Sequence, residues 1–204
     1  LEKKKIKLDF CLVGEPTNPL KLGEMVKIGR RGSLNGVITV NGKQGHVAYP
    51  DFAKNPIDGV LTICNQLKLP LDKGSKAFQP SNLVITSIDV DNMVTNLIPN
   101  KAYIKFNIRF NDNFNSKDLI KLLHDRLNKT GEDYNLEVKV SGESFFNFSE
   151  KLTQAVVNSI KKVRKIKPEL STTGGTSDAR FISKICPVIE FGLIGETMHQ
   201  INEN

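Results

Sequence analysis

Three histidines, His46, His124 and His199, are the side chains of this 204-residue sequence best suited to bind a metal or move a proton. No two of them form a His-x-x-x-His pair and no Cys-x-x-Cys is present, so spacing alone assigns no metal site. His124 lies beside the apolar stripe of a predicted helix, the position of a partly buried helix residue. His46 stands in Gly45-His46-Val47-Ala48-Tyr49-Pro50, outside any regular pattern. It is placed either for polar contact with a ligand or as a loop imidazole bonded to backbone. The run Ser171-Thr172-Thr173-Gly174-Gly175-Thr176-Ser177-Asp178 is a hydroxyl-rich glycine loop feeding a helix. Exposed N–H groups at such a start favour a carboxylate or another anion, and a plain N-cap at Ser177 or Asp178 uses the same residues. Arg30-Arg31-Gly32-Ser33 brings two guanidinium groups to a predicted domain boundary. A guanidinium fork bonds both oxygens of a carboxylate, although paired arginines are also common on ordinary surfaces.

These segments need elements to hold them. The apolar run 10–13 stops at Gly14-Glu15-Pro16 and reads as a strand ending in a loop. Residues 26–40 are β-like, with Leu34, Ile38 and Val40 on one face, and Asn41-Gly42 is a two-residue hairpin signal. Asn55-Pro56 opens a helix carrying Ile57, Val60, Leu61, Cys64 and Leu67. Strands are predicted over 82–89 and 102–110. Ser116 then caps a helix with Leu119, Ile120, Leu123 and Leu127, stopped by Gly131, and Leu136, Val138 and Val140 alternate in a last strand. The order over 32–142 is β-α-β-β-α-β, an α+β unit with one sheet and two helices on one side. Its flanks, 1–31 and 143–204, differ. They carry a helix (Leu152, Val156, Ile160, Val163) halted by Pro168, the glycine loop, a short helix and a strand over 188–191, as in a mostly parallel α/β layer. The α+β unit therefore reads as inserted into a second domain.

Composition narrows the classes of function. Hydrophobic content of 39 % supports a packed core, and no apolar run approaches the ~18 residues of a membrane span. Cys11, Cys64 and Cys186 are odd in number, widely spaced and in apolar contexts, so they read as buried thiols of a reducing, cytoplasmic compartment. The net charge of +7 is concentrated at Lys3-Lys4-Lys5 and at Lys161, Lys162, Arg164, Lys165 and Lys167. Neither cluster has interleaved aromatics, which argues for solvated helix faces over a nucleic-acid or membrane surface.

Taken in order, Val13-Gly14-Glu15-Pro16, Gly29-Arg30-Arg31-Gly32-Ser33, Gly45-His46-Val47-Ala48-Tyr49-Pro50, Asn96-Leu97-Ile98-Pro99, Phe106-Asn107-Ile108-Arg109-Phe110, Thr172 to Asp178 and His199-Gln200-Ile201-Asn202-Glu203 form a pattern. In order and spacing it resembles the succinyl-diaminopimelate desuccinylases, within the larger group of co-catalytic zinc aminoacylases and carboxypeptidases. The resemblance implies a lid and dimerisation domain at 32–142 set into an α/β catalytic domain. It also implies hydrolysis of N-succinyl-LL-2,6-diaminopimelate with two zinc ions, one of them replaceable by cobalt. By position, Glu15 matches a carboxylate ligand of one metal and His199 an imidazole ligand of the other. His46 matches a lid histidine that stabilises the oxyanion from the partner subunit of a homodimer. Arg30, Arg109, Gly175 and Thr176 match residues that hold substrate carboxylates, with Tyr49 and Asn96 lining the same cleft.

Two departures accompany the resemblance. The family's opening segment, with its His-x-Asp motif, bridging Asp and Glu-Glu pair, is absent, and the sequence stops just after His199. The 204-residue chain is therefore expected to be inactive by itself and to retain zinc poorly. Gly195 also stands near the place of an Asn that touches substrate. The competing readings are a sister deacylase acting on N-acetylornithine or another acyl amino acid, and a dimerisation module with no catalytic role.

Overall fold

The computed structural model describes residues 7–195. In chain order the strands and helices are β1 (Cys11–Val13), β2 (Met25–Lys27), β3 (Gly29–Arg30), β4 (Gly32–Asn41), β5 (Gly45–His46), α1 (Pro56–Leu67), β6 (Asn82–Asp89), β7 (Leu97–Ile98) and β8 (Lys101–Phe110). They continue with α2 (Ser116–Asn128), β9 (Tyr134–Gly142), β10 (Phe145–Phe146), α3 (Glu150–Arg164), β11 (Glu169–Ser171), α4 (Ala179–Ile182) and β12 (Val188–Glu190). Among the described residues the chain divides into two compact units. One holds residues 32–75 and 80–143, the other residues 7–31, 76–79 and 144–195.

The first unit is a four-stranded antiparallel sheet in the order β6-β8-β4-β9. Strand alternation sets its two faces. On β8, Ala102, Ile104, Phe106, Ile108 and Phe110 are buried, while Tyr103, Lys105 and Asn107 face the other way. The buried side meets Val60, Ile63, Cys64 and Leu67 of α1 and Leu119, Leu123 and Leu127 of α2, giving the α+β class and element order expected from the sequence. Asn55 caps α1 by accepting from the Ile57 N–H at 3.2 Å, with Pro56 in the first turn. The cap of α2 is Asn115, one residue before the expected Ser116. Its Oδ1 accepts from the Asp118 N–H at 2.9 Å.

The hairpin expected at Asn41-Gly42 does not form. Gly42 donates its N–H to Asn100 at 2.8 Å, and the following strand β5 pairs with β7 instead of turning back on β4. Gly42 is needed for space: a Cβ there would lie 2.4 Å from the Lys54 carbonyl oxygen and 2.6 Å from Pro56 Cδ. The outer strands of the sheet differ in charge. β6 has no ionisable residue before its last position, Asp89, whereas β9 exposes Glu137 and Lys139 in mid-strand.

In the second unit the predicted strand 26–40 is broken. It yields β2 and β3 here, and β4 in the first unit. The sheet order is β1-β12-β2-β11. β1 runs parallel to β12 and β2 parallel to β11, but β12 meets β2 antiparallel at Glu190 and Lys27, so the layer is mixed rather than mostly parallel. Val26, Ile189, Leu152 and Ile160 make its core. Ser149 caps α3, which ends at Lys165 in the left-handed region (φ 62°), three residues before the expected stop at Pro168. Val157 packs inward and Val163, read as a core residue, is 75 % exposed. Lys161, Lys162 and Arg164 are exposed on the last turn of α3, where positive charge complements the helix dipole.

Candidate ligand cleft

Glu15 sits on the loop that follows β1, and that loop is pinned by buried Asn18. Asn18 Oδ1 accepts from the N–H groups of Gly23 and Met25, both at 3.0 Å, while Nδ2 donates to the Gly192 carbonyl at 2.6 Å. The pinning brings Glu15 to the rim of a cleft of about 730 Å³ whose lining includes Met25, Lys27, Arg30, Gly175, Thr176 and Gly195. Four of the residues singled out in the sequence, Glu15, Arg30, Gly175 and Thr176, therefore meet in one place.

Two cations lie at the base of this cleft. Arg30 donates through Nε to Glu190 Oε2 at 2.7 Å and through Nη2 to the same oxygen, while Ser177 donates to Glu190 Oε1. Glu190 is fully buried, and its two oxygens are both engaged. Arg30 Nη1 reaches the Thr173 carbonyl at 3.4 Å. Gly174 fits closely there, with φ +100° and room for no Cβ, which would stand 2.3 Å from Arg30 Nη1.

Lys27 is only 6 % exposed. Its ammonium donates to Thr173 Oγ1 at 2.5 Å and Ser171 Oγ at 3.3 Å, and lies 2.8 Å from Met25 Sδ. Among the described residues no carboxylate forms an ion pair with it. Burial, and then the positive charge of Arg30, hold the Lys27 pKa down to about 8. The unfolded chain thus binds more protons than the folded one between about pH 8 and 10.5, and stability should rise with pH across that window. Below it the penalty is fully present. Lys27→Met should therefore raise stability at pH 7 by about 1–2 kcal/mol, once residual solvent screening is allowed for. Urea melts of both proteins at pH 7 and pH 10 check this, and the gap between them should narrow at the higher pH.

A second group of singled-out residues lies in the other unit. β5 and β7 pair Gly45 with Ile98 and His46 with Leu97, and the Val47 N–H donates to the Asn96 carbonyl at 3.1 Å. His46, Tyr49 and Asn96 are thereby gathered on one exposed loop cluster, with the His46 and Tyr49 rings 6.0 Å apart. His46 Nδ1 accepts from the Ala48 N–H at 3.1 Å. In the neutral ring that bond leaves the proton on Nε2, which makes the exposed edge of the imidazole a donor. The two readings left open for His46 are thus compatible: it bonds backbone through one nitrogen and offers the other. Arg109 stands apart from this cluster, on the sheet face opposite the helices, across from Ser33 and Asn82.

His199 lies outside the described residues. Among those described, no three His, Cys, Asp or Glu side chains converge on a common point. A hydrolytic zinc site takes about three protein ligands plus water. The residues described here do not fit a complete site, and Glu15 is the one proposed ligand among them. Sequence reasoning missed Lys27 and Glu190. The signal was a single charge inside each of two apolar strands, Val26-Lys27-Ile28 and Val188-Ile189-Glu190-Phe191, since such a charge seldom stays buried unless it is paired.

Residues 28–135, which include the antiparallel sheet through β8 and both of its helices, match the family described as Peptidase dimerisation domain. The chain belongs to that family. It is 53 % identical over 212 residues to the succinyl-diaminopimelate desuccinylase of Pelagibacter ubique, with all of this chain and 54 % of that protein covered. To the enzyme of the same name from Caulobacter vibrioides it is 50 % identical over 201 residues, covering 96 % of the chain and 52 % of the relative. The chain thus spans about half the length of the curated relatives it matches. Among solved structures it resembles a tripeptidase from Staphylococcus aureus, with a TM-score of 0.80, 17 % identity and coverage of 100 % of this chain and 53 % of that one. It also resembles an M20 family metallo-carboxypeptidase from Sulfolobus solfataricus, with a TM-score of 0.79, 16 % identity and coverage of 99 % and 60 %. At such identities the likeness concerns the fold alone.

Proposed function

We propose that the protein carrying this chain hydrolyses N-succinyl-LL-2,6-diaminopimelate to succinate and LL-2,6-diaminopimelate. The observation that carries the reading is the cation excess at the base of the cleft. Lys27 and Arg30 are both buried; Glu190 is bound to Arg30, and Glu169 and Glu190 act on Lys27 only from a distance, without an ion pair to it. A substrate with three carboxylates compensates such a site, whereas a neutral acyl group leaves it unpaired. The identity of about half to the desuccinylases named above supports the same substrate.

In this proposal Arg30, Gly175 and Thr176 hold a substrate carboxylate together with Lys27. Glu15 would give one ligand to one zinc ion and His199 one to the other, with one of the two ions replaceable by cobalt. Zinc, when bound, would supply Lewis acidity at the amide. His46 donates through Nε2 to the oxyanion, reaching the cleft of the partner subunit in a homodimer, with Tyr49, Asn96 and Arg109 on the same lid. The dimer forms through residues 32–142. The uncharged edge of β6 is the better pairing edge, because mid-strand charges guard β9. A cytoplasmic setting suits three cysteines that form no disulfide.

The test is succinate release by the full-length protein loaded with zinc. N-succinyl-diaminopimelate should be preferred over N-acetylornithine by about 10² or more in kcat/KM, because the second leaves the buried Lys27 ammonium without a directly bonded counter-charge. The 204-residue chain should show no turnover. Equal rates on the two substrates would favour the sister deacylase, and no hydrolysis of either by the full-length protein would leave a dimerisation module.

A further inference from the structure

Lys27 uses its three ammonium protons on three neutral acceptors. Ser171 Oγ and Thr173 Oγ1 are hydroxyls, and Met25 Sδ is a weak acceptor. The hydroxyls are fixed to one another: Ser171 Oγ lies 2.8 Å from Thr173 Oγ1 and also accepts the Thr173 N–H at 3.2 Å. Thr173 touches both cations of the cleft, Lys27 through its hydroxyl and Arg30 through its carbonyl at 3.4 Å. Neither contact carries a negative charge. A carboxylate at position 173 would hold the lysine more firmly and would also neutralise it.

We infer that Thr173 is a positioning residue for anion selection. It holds the Lys27 ammonium and the Arg30 guanidinium at a set spacing without cancelling their charge, so that the cleft takes a dicarboxylate-derived acyl group. Met25 Sδ, which lines the cleft and is the weakest of the three Lys27 acceptors, is the contact that an incoming carboxylate oxygen displaces. Ser171 keeps the Thr173 hydroxyl turned toward Lys27. This inference rests on the acidic substrate proposed above and adds the residue that makes the site selective.

The experiment uses the full-length zinc-loaded protein and succinate as the dicarboxylate probe, measured as a competitive inhibitor. The Lys27 ionisation is followed separately by the 13Cε shift of labelled lysine. Thr173→Val removes the hydroxyl at nearly constant volume. It should weaken succinate inhibition about tenfold, the effect of one lost hydrogen bond to a charged group. KM for the substrate should rise with it while kcat changes little, and the Lys27 pKa should fall below its starting value. Thr173→Ser restores the hydroxyl and should return all three readouts to within about twofold of the parent. If Thr173→Val does not fold by circular dichroism, Thr173→Ala takes its place. Lys27→Met is the control, and it should weaken succinate about a hundredfold. Unchanged inhibition in Thr173→Val, with Lys27→Met still weak, overturns the role given to Thr173 and leaves the acidic substrate standing. Unchanged inhibition in Lys27→Met overturns the acidic reading of the cleft and this inference with it.

Discussion

Replacing His46 with Ala in the full-length protein should lower kcat by about two to three decades while KM changes much less. One donor aimed at a developing oxyanion contributes about 2.7–4 kcal/mol to the barrier, which gives that range. The geometry supplies the reason for expecting a donor. The Ala48 N–H occupies Nδ1 at 3.1 Å, so the neutral ring carries its proton on Nε2. Pairing of β5 with β7 fixes the backbone on both sides of the imidazole. A steady-state comparison of His46→Ala with the parent tests this. If kcat survives and only KM rises, His46 binds the ground state and the oxyanion role is wrong. Mixing His46→Ala with a second variant lacking Glu15 tests the reach across subunits. Activity recovered in the mixed dimer requires the histidine of one protomer to serve the partner.

The second large effect concerns stability. Gly36 on β4 faces Phe106 on β8, and a Cβ at Gly36 would lie 2.1 Å from the ring Cζ. Four residues earlier Gly32 and Phe110 repeat the arrangement, with a Cβ contact of 2.3 Å. Each ring lies over a glycine, which leaves no space for a methyl group. Gly36→Ala should therefore cost about 1–3 kcal/mol by overpacking, and Phe106→Ala about 3–5 kcal/mol by leaving a cavity. The two costs should not add: Gly36→Ala with Phe106→Ala should be more stable than the sum of the single changes predicts. Chemical denaturation of the four proteins gives the coupling energy. Additivity within about 0.5 kcal/mol would show that the strand shifts to absorb the methyl group.

Period-two alternation on 102–110 and the helical stripes after Asn55 and Asn115 were readable because most side chains there have one destination, the core of their own sheet; Leu61, placed in the first stripe, is instead exposed. The misread places are those where a distant partner decides. Gly42 looks like a turn residue, but its space is limited by Lys54 and Pro56 and its N–H goes to Asn100. Val163 keeps helical phase with Leu152 and Ile160, yet it is exposed, because the loop of Leu22 and Gly23 packs on the Ile160 and Arg164 side of the last turn of α3. In the candidate cleft, Glu15, Arg30, Gly175 and Thr176 could be named from their motifs and do converge. Lys27 left only a weak signal, a lone charge between Val26 and Ile28, and a sequence does not display that no carboxylate bonds to it directly. Arg30 was readable as a cation but its bond to Glu190, 160 residues away, was not.

The unequal edges of the four-stranded sheet set an upper limit on assembly. If β6 and β9 could each accept a neighbouring strand, every added copy would present a fresh edge, and the chain would grow as an open ribbon without a defined size. Glu137 and Lys139 on β9 make that second addition costly, because a strand laid beside them must find a partner for each charge. In the proposed dimer, one receptive edge per copy, used about a two-fold axis, is consumed when two copies meet. In the proposed dimer the mid-strand charges of β9 would thus act as a stop signal, and neutralising both, as in Glu137→Thr with Lys139→Thr, should convert a self-limiting pair into a growing polymer, read by sedimentation.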